Sequence, residues 1–299
     1  MEMERIEIAD RVTLSRMAYG MWRVADDEDT GPAHIRAKLE ACLAQGITTL
    51  DLADIYGGYT AESLLGAALK AAPGLRDRFE IVTKCGIVAP MGRHGSARVK
   101  HYDTSARHIT ASVDASLRDL GTEWIDLLLI HRPDPMMDAG ETGRALDDLV
   151  ESGKVRAVGV SNFHRDETEL LQDAMRQRLC VNQIEISLAA PEPFANGELS
   201  FIQRQGMAPM AWSPLAGGAL FAGAQPELVE VMRDMAAAKG CEMAALAIAW
   251  LLAHPARIMP VIGTNRLSRI AAMSEAFRVD LDREDWFILY QAALGHEVP

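Results

Sequence analysis

Eight apolar runs of strand length, alternating with segments of helical spacing, constrain this chain more than any other feature. The runs are "SRMAYG", "ITTLDL", "FEIVTK", "IDLLLIH", "VRAVGVS", "CVNQIEI", "MAPMAWS" and "RIMPVIG". Several are apolar at successive positions, as expected for parallel strands covered on both faces. Between them, Ile35, Leu39, Cys42 and Leu43 mark one helical face, ended by Gly46. Ile109, Val113, Leu117 and Leu120 mark another, ended by Gly121. "ALDDLVESG", "ETELLQDAM" and "ELVEVMRDMAAAKG" continue the pattern. Eight strands with helices between them predict an α/β fold, a (β/α)8 TIM barrel. Short alternating runs around Ala9-Asp10 predict an N-terminal β-hairpin ahead of it. A doubly wound sheet is the rival, but no G-x-G-x-x-G follows any strand. No Pro/Gly/Ser-rich linker cuts the chain, so residues 1–299 are expected to form one barrel domain.

Composition narrows the function. The chain is 49% hydrophobic and 24% charged, ordinary for a soluble globular protein. A net charge of -12 argues against nucleic acid, which needs a basic face, yet leaves room for an anionic cofactor in a local basic pocket. The apolar run "MAALAIAWLLA" (243–253) is too short to span a bilayer, and "MEMERIEIADR" lacks the apolar stretch of a signal peptide. No membrane partner is therefore expected. Cys42, Cys85, Cys180 and Cys241 are scattered without a CxxC pair, which suits free thiols in a reducing cytoplasm. The eight histidines show no ligand spacing, so no metal is expected.

In such a barrel the working face is the C-terminal edge of the strands. Polar residues at those edges are Asp51 with Tyr56 just beyond it, Lys84, His131, Ser161-Asn162, Gln183 and Trp212-Ser213. Singly, each has a mundane explanation: a turn cap, a packed ring, a solvated amine, a core histidine. Together they suit one another. A tyrosine is a poor acid near neutral pH, and a neighbouring ammonium should lower its pKa. A carboxylate beside that lysine keeps it charged, and a histidine can hydrogen-bond a substrate oxygen. The set can deliver a proton to a carbonyl or take one from an alcohol, but a cofactor must bring the hydride.

These segments resemble the aldo-keto reductase superfamily along essentially the whole chain. The motifs are "LDLADIYGGYTAE", "IVTKCG", "SLRDLGTEWIDLLLIHRPDP", "GKVRAVGVSNF", "VNQIEIS", "AWSPLAGG" and "VIGTNRLSRI". "YGMWRV" and "AALGHEVP" resemble one bacterial branch, which adds Met21 and Trp22 to the expected cofactor residues. The resemblance implies Tyr56 as general acid, Lys84 as its pKa-lowering partner, Asp51 as support for the lysine and His131 as orienter of the carbonyl. It implies that Ser161, Asn162 and Gln183 hold the nicotinamide carboxamide. Trp212 stands where most members stack a tyrosine on the ring. Ser213, Leu215 and Gly217-Gly218 match the loop over the pyrophosphate.

The stretch 263–269 implies NADP(H) rather than NAD. Thr264, Asn265, Arg266 and Arg269 carry groups able to grip a 2′-phosphate, together with amides at a helix N-terminus. Gly263 replaces a lysine common in mammalian members, and Ala272 and Met273 replace adenine-holding side chains. The basic loop 89–101 is expected on the substrate side, where Arg93 or His94 could meet a polar substrate. Residues 190–198, with Phe194, are a second expected wall. The expected activity is NADPH-dependent reduction of aldehydes or ketones to alcohols. Its rivals are a nicotinamide-binding regulatory protein, like channel β subunits, and a Schiff-base lyase or aldolase using Lys84. Neither the physiological substrate, the reaction direction nor the oligomeric state is written in these motifs.

Overall fold

The computed structural model describes residues 3–222 and 225–299. A hairpin comes first, β1 (Arg5–Ala9) with β2 (Val12–Ser15), paired antiparallel. Then follow β3 (Ala18–Gly20), β4 (Thr49–Asp51), β5 (Glu80–Cys85), a short antiparallel excursion β6 (Ile87–Val88) and β7 (His101–Tyr102), β8 (Ile125–Ile130), β9 (Val155–Ser161), β10 (Leu179–Glu185), β11 (Ala208–Trp212) and β12 (Met259–Ile262). The eight strands β3, β4, β5, β8, β9, β10, β11 and β12 pair parallel in that order, and β12 returns to β3 to close the barrel. The predicted (β/α)8 barrel and its leading hairpin are both there.

The connecting helices are α1 (Pro32–Ala44), α2 (Tyr56–Tyr59), α3 (Ala61–Ala71), α4 (Ala106–Leu120), α5 (Ala139–Glu151), α6 (Arg165–Asp173), α7 (Glu198–Arg204), α8 (Pro226–Lys239), α9 (Met243–Leu252), α10 (Leu267–Ile270) and α11 (Arg283–Leu294). Helix α4 shows why they form. Ser105 caps its start by accepting from the His108 amide at 3.3 Å, Ile109, Val113 and Leu120 are buried, and Gly121 ends it at a φ of 66°. All six residues of β8 are buried. Leu127 and Leu129 face the barrel interior, while Leu128 and Ile130 pack outward with helix residues.

The hairpin plugs one end. Ile6, Val12 and Leu14 join the interior cluster, and Ser15 exchanges hydrogen bonds with Thr49 at the start of β4. The strands' C-terminal end is thus the one left for chemistry. Helix α9, though strongly apolar, is packed inside the protein through Leu246, Ile248, Trp250 and Leu251. Among the described residues no single helix is long and apolar enough to cross a membrane.

One expected pocket wall lies elsewhere. Phe194 is 5.0 Å from both Trp250 and His254 and 5.4 Å from Trp286, centroid to centroid. It is a wedge in an aromatic cluster, because Trp250 and Trp286 stack at 5.0 Å and donate their indole N–H groups to each other's carbonyls.

Helix α3 crosses the end of α4 at Gly66, where an added Cβ would sit 2.0 Å from the Asp119 carbonyl oxygen. Gly66→Ala must push the helices apart, at a cost of roughly 1–3 kcal/mol. A Tm lower by several degrees is expected in calorimetry. An unchanged Tm would contradict this packing.

Candidate active site

Side chains alternate across a strand, so residues two apart share a face. Val82, Leu129, Val181 and Met210 line the barrel interior. Two positions further toward the C-terminal end stand Lys84, His131, Gln183 and Trp212. Asp51 follows Thr49, and Ser161 follows Ala157 and Gly159, with the same parity. The pleat alone therefore brings the expected polar residues to one inner rim.

At the centre is the Lys84 ammonium, 1% exposed. It donates to both Asp51 oxygens at 2.9 Å, to the Leu52 carbonyl at 2.7 Å and to the Tyr56 hydroxyl at 3.2 Å. Burial pulls its pKa down, but Asp51 and Tyr56 outweigh that and hold it above the ordinary lysine value. A charged, fully engaged amine is no free nucleophile, which removes the basis for a Schiff-base role. Asp51 also accepts from Gln183 Nε2 at 2.7 Å.

Tyr56 reaches this centre because the chain turns sharply after it. Gly57, Gly58 and Tyr59 all have positive φ, at 59°, 64° and 72°. A Cβ on Gly57 would come within 2.5 Å of Ala25 Cβ, so the turn accepts nothing larger there.

The expectation of an acidified phenol needs correcting. Burial raises the Tyr56 pKa; Lys84 opposes it, but the nearby Asp51 charge adds to the rise, and the net shift is upward. The lysine's charge is largely spent on Asp51. The phenol consequently stays protonated, as a proton donor must, and its oxygen already accepts from Lys84, which leaves its own O–H for another acceptor. The His131 ring stands edge-on to Tyr56, with centroids 5.8 Å apart. Burial, then Lys84, Arg132 and Lys100, push its pKa well below 6.5, so the imidazole is neutral. Cys85, beside Lys84 in sequence, is buried with its thiol pushed well up, and is inert.

The expected nicotinamide residues form one connected chain. Ser161 Oγ donates to the Gln183 carbonyl at 2.8 Å, and Asn162 Nδ2 donates to Ser161 Oγ at 2.8 Å and to the His131 carbonyl at 3.3 Å. Asn162 has a φ of 60°, and its Oδ1 accepts from Trp212 Nε1 at 2.9 Å. The indole, partly exposed and pinned by that bond, presents a fixed aromatic face on the rim. Ser213 has a φ of 49°, and Leu215 is half-buried.

On the β3 side the outcome is mixed. Trp22 is 56% exposed, with the Arg23 guanidinium 5.1 Å from its ring, but the Met21 side chain is buried in the core and can offer only its backbone. Arg23 Nη2 lies 3.5 Å from the Gly217 carbonyl. Gly263 sits where a Cβ would be 3.1 Å from the Gly20 carbonyl, too tight for a lysine without a shift. The Thr264 carbonyl accepts from Tyr19 at 3.0 Å. Asn265 is already committed, because its Oδ1 accepts from Lys38 Nζ at 3.1 Å and its Nδ2 donates to the Arg23 carbonyl at 2.7 Å. It staples two loops rather than offering a side-chain grip on phosphate. Helix α10 is four residues long, too short for the expected dipole site. Arg266 and Arg269 are exposed and enter no ion pair among the described residues, so both guanidinium forks can meet a phosphate. Met273 belongs to the core, which removes it from any adenine contact.

Two features are not singled out by the sequence. Lys38 is wholly buried and ion-paired with Asp27, which His34 also contacts at 3.1 Å. Arg132 lies 5.8 Å from the Trp212 ring on the rim. Arg93, for which a solvated loop position is the default reading and a substrate contact the alternative, pairs instead with Asp54, Glu62 and Asp119. A lysine on the apolar face of α1, between Ile35 and Leu39, was the one readable sign of the first.

A closed parallel barrel with this rim is the arrangement of a carbonyl-reducing oxidoreductase, and the chain belongs to the aldo/keto reductase family, whose model matches residues 16–293. Over 99% of its length it is 62% identical to the whole of a 6-dehydroglucose reductase of Agrobacterium fabrum. It is 42% identical to the oxidoreductase YdhF of Escherichia coli, over 99% of both chains. Among solved structures, an aldo-keto reductase of Klebsiella pneumoniae in complex with NADPH matches 100% of this chain and 97% of its own, at 25% identity and a TM-score of 0.82.

Because His131 is buried neutral, it binds fewer protons folded than unfolded. Stability should therefore fall as pH drops below its unfolded pKa of about 6.5. Imidazole 15N shifts at mildly acidic pH should report a neutral His131; a protonated ring there would contradict the geometry.

Proposed function

We propose that this chain reduces a sugar aldehyde to its alcohol with NADPH, and that 6-dehydroglucose is the substrate to try first. The observation that carries the chemistry is the 3.2 Å contact of Tyr56 with a lysine that Asp51 keeps charged. The substrate class is supported by the 62% identity to the Agrobacterium enzyme, and the cofactor by the NADPH-bound Klebsiella relative and the unpaired Arg266 and Arg269.

The residues fit a bound nicotinamide. Trp212 offers the ring face, Ser161, Asn162 and Gln183 the polar edge, Arg23 and Gly217 the bridge over the groove, and Arg266 and Arg269 the phosphate contacts. When bound, NADPH would supply a hydride, from C4 of its ring, for the carbonyl carbon. Neutral His131 and the Tyr56 hydroxyl hold the carbonyl oxygen. As that oxygen gains negative charge, Tyr56 passes it the proton, and the adjacent ammonium stabilises the phenolate left behind. Hydride and proton together make the alcohol, and solvent returns a proton to Tyr56.

NADPH oxidation should be fastest with 6-dehydroglucose among sugar aldehydes, aryl aldehydes and dicarbonyls, and slower with NADH. Tyr56→Phe should lose about 10²–10⁴ in kcat with NADPH binding retained. Near wild-type turnover in that variant would remove Tyr56 as the donor.

A further inference from the structure

A buried acidic pair lies behind the turn that carries Tyr56, and the reaction above makes no use of it. Asp54 stands two residues before Tyr56 and is 1% exposed; among the described residues neither carboxylate oxygen has a well-formed hydrogen bond, although the Ile55 amide and the Ser112 hydroxyl lie near enough to lower its pKa. Its amide donates to the Lys84 carbonyl at 2.9 Å, so it is tied to the catalytic strand. Glu62, on α3, is held by Thr83 Oγ1 at 2.6 Å and Ser116 Oγ at 2.9 Å. The cation facing both is Arg93, with Nη2 3.9 Å from Asp54 and 4.0 Å from Glu62, and Nη1 3.4 Å from Asp119.

Arg93 belongs to the excursion 87–102, and its surroundings join that loop to the Tyr56 turn. Its guanidinium lies 5.0 Å from the Tyr59 ring. The Tyr59 hydroxyl donates to the Ile87 carbonyl at 3.1 Å and accepts from the Ala89 amide at 3.0 Å. Gly92 lies against the Gly58 carbonyl, where a Cβ would approach to 2.5 Å. Further along the loop, the Lys100 charge adds, after burial, Lys84 and Arg132, to the lowering of the His131 pKa.

We propose that Asp54 and Arg93 form a positioning pair that docks the 87–102 loop onto the catalytic turn, and that the charge on Asp54 sets how firmly the loop is held. A buried carboxylate this weakly hydrogen-bonded gains most from a guanidinium able to move inward, directly or through a water. Burial and Glu62 raise the Asp54 pKa to about 7 against the pull of Arg93, so its charge changes near neutral pH. Other groups around it are Cys85 on β5, Tyr59, and Ser112 on α4, whose hydroxyl lies 3.3 Å from His108 Nε2. His94, edge-on to Tyr59, and His108 both have pKa values lowered from the ordinary histidine value, chiefly by burial. Docking should therefore tighten as pH rises through neutrality.

The docking stands apart from the proposed reaction; its effect on substrate rests on that reading. Hydrogen exchange of the segment 89–101, corrected for intrinsic rate, should slow severalfold between about pH 6 and about pH 8 in the wild type. Asp54→Asn should abolish that change, and Arg93→Ala should leave the segment fast at both values. Since folded Asp54 keeps a proton the unfolded chain releases, the wild type loses stability as pH rises toward neutrality. Asp54→Asn escapes this loss, so its Tm advantage should be larger at the higher pH. With a reducible carbonyl, Arg93→Ala should raise KM about tenfold with kcat little changed, and Arg93→Lys should recover part. Equal exchange in wild type and Asp54→Asn at both pH values overturns the proposal. A loop that responds in a chain that turns over no carbonyl supports docking and counts against the reductase reading alone.

Discussion

Every structural demand at this rim traces to one ammonium group taken out of water. Lys84 carries three protons and faces four acceptors: two Asp51 oxygens, the Leu52 carbonyl and the Tyr56 hydroxyl. Burying such a charge costs several kcal/mol, and removing one partner of a buried pair leaves an uncompensated ion at a cost of about 3–5 kcal/mol. The barrel must therefore hold Asp51 in place, and it does so through Gln183, which donates to Oδ1, one of the two oxygens Lys84 also contacts. Tyr56 takes what remains of the lysine's field. That sharing explains a phenol that is protonated at rest and steadied only once it has given its proton away.

From Asp51 the network spreads without a break. Gln183 leads through its carbonyl to Ser161, then to Asn162, and Asn162 reaches both the His131 carbonyl and the Trp212 indole. A second network, through Lys38, Asp27, Asn265 and Arg23, ties the loop after β3 to the loop after β12. Both systems brace loops at the C-terminal end of the barrel strands. Each rests on a buried lysine neutralised by one aspartate, which makes both sensitive to loss of either partner.

Much of this was legible before any coordinates. Continuous apolar runs such as "IDLLLI" leave little alternative to a two-sided parallel sheet, and eight of them close a barrel. The rim residues were legible because strand parity is local and Lys84, His131 and Gln183 each end an apolar run. What escaped depends on distant partners. Asn265 reads as a phosphate ligand in sequence because its bond to Lys38 spans 227 residues. Arg93 reads as a solvated or substrate-facing loop charge because the buried Asp54 and Glu62 behind it carry no signature of burial in sequence. Phe194 was assigned to a wall because the Trp250–Trp286 stack that receives it assembles from two remote helices. The Tyr56 shift was given the wrong sign because charge proximity can be guessed from motifs, whereas burial and the share of the lysine claimed by Asp51 cannot.

The account turns on Lys84 acting as a fixed positive charge beside the phenol rather than as a structural prop. Single-turnover NADPH oxidation by Lys84→Met, with the cofactor prebound and a C4-deuterated cofactor run in parallel, isolates that role. The hydride-transfer rate should fall by about 10²–10⁴, with a clear isotope effect and cofactor affinity preserved. A rate close to the wild type's would contradict the account.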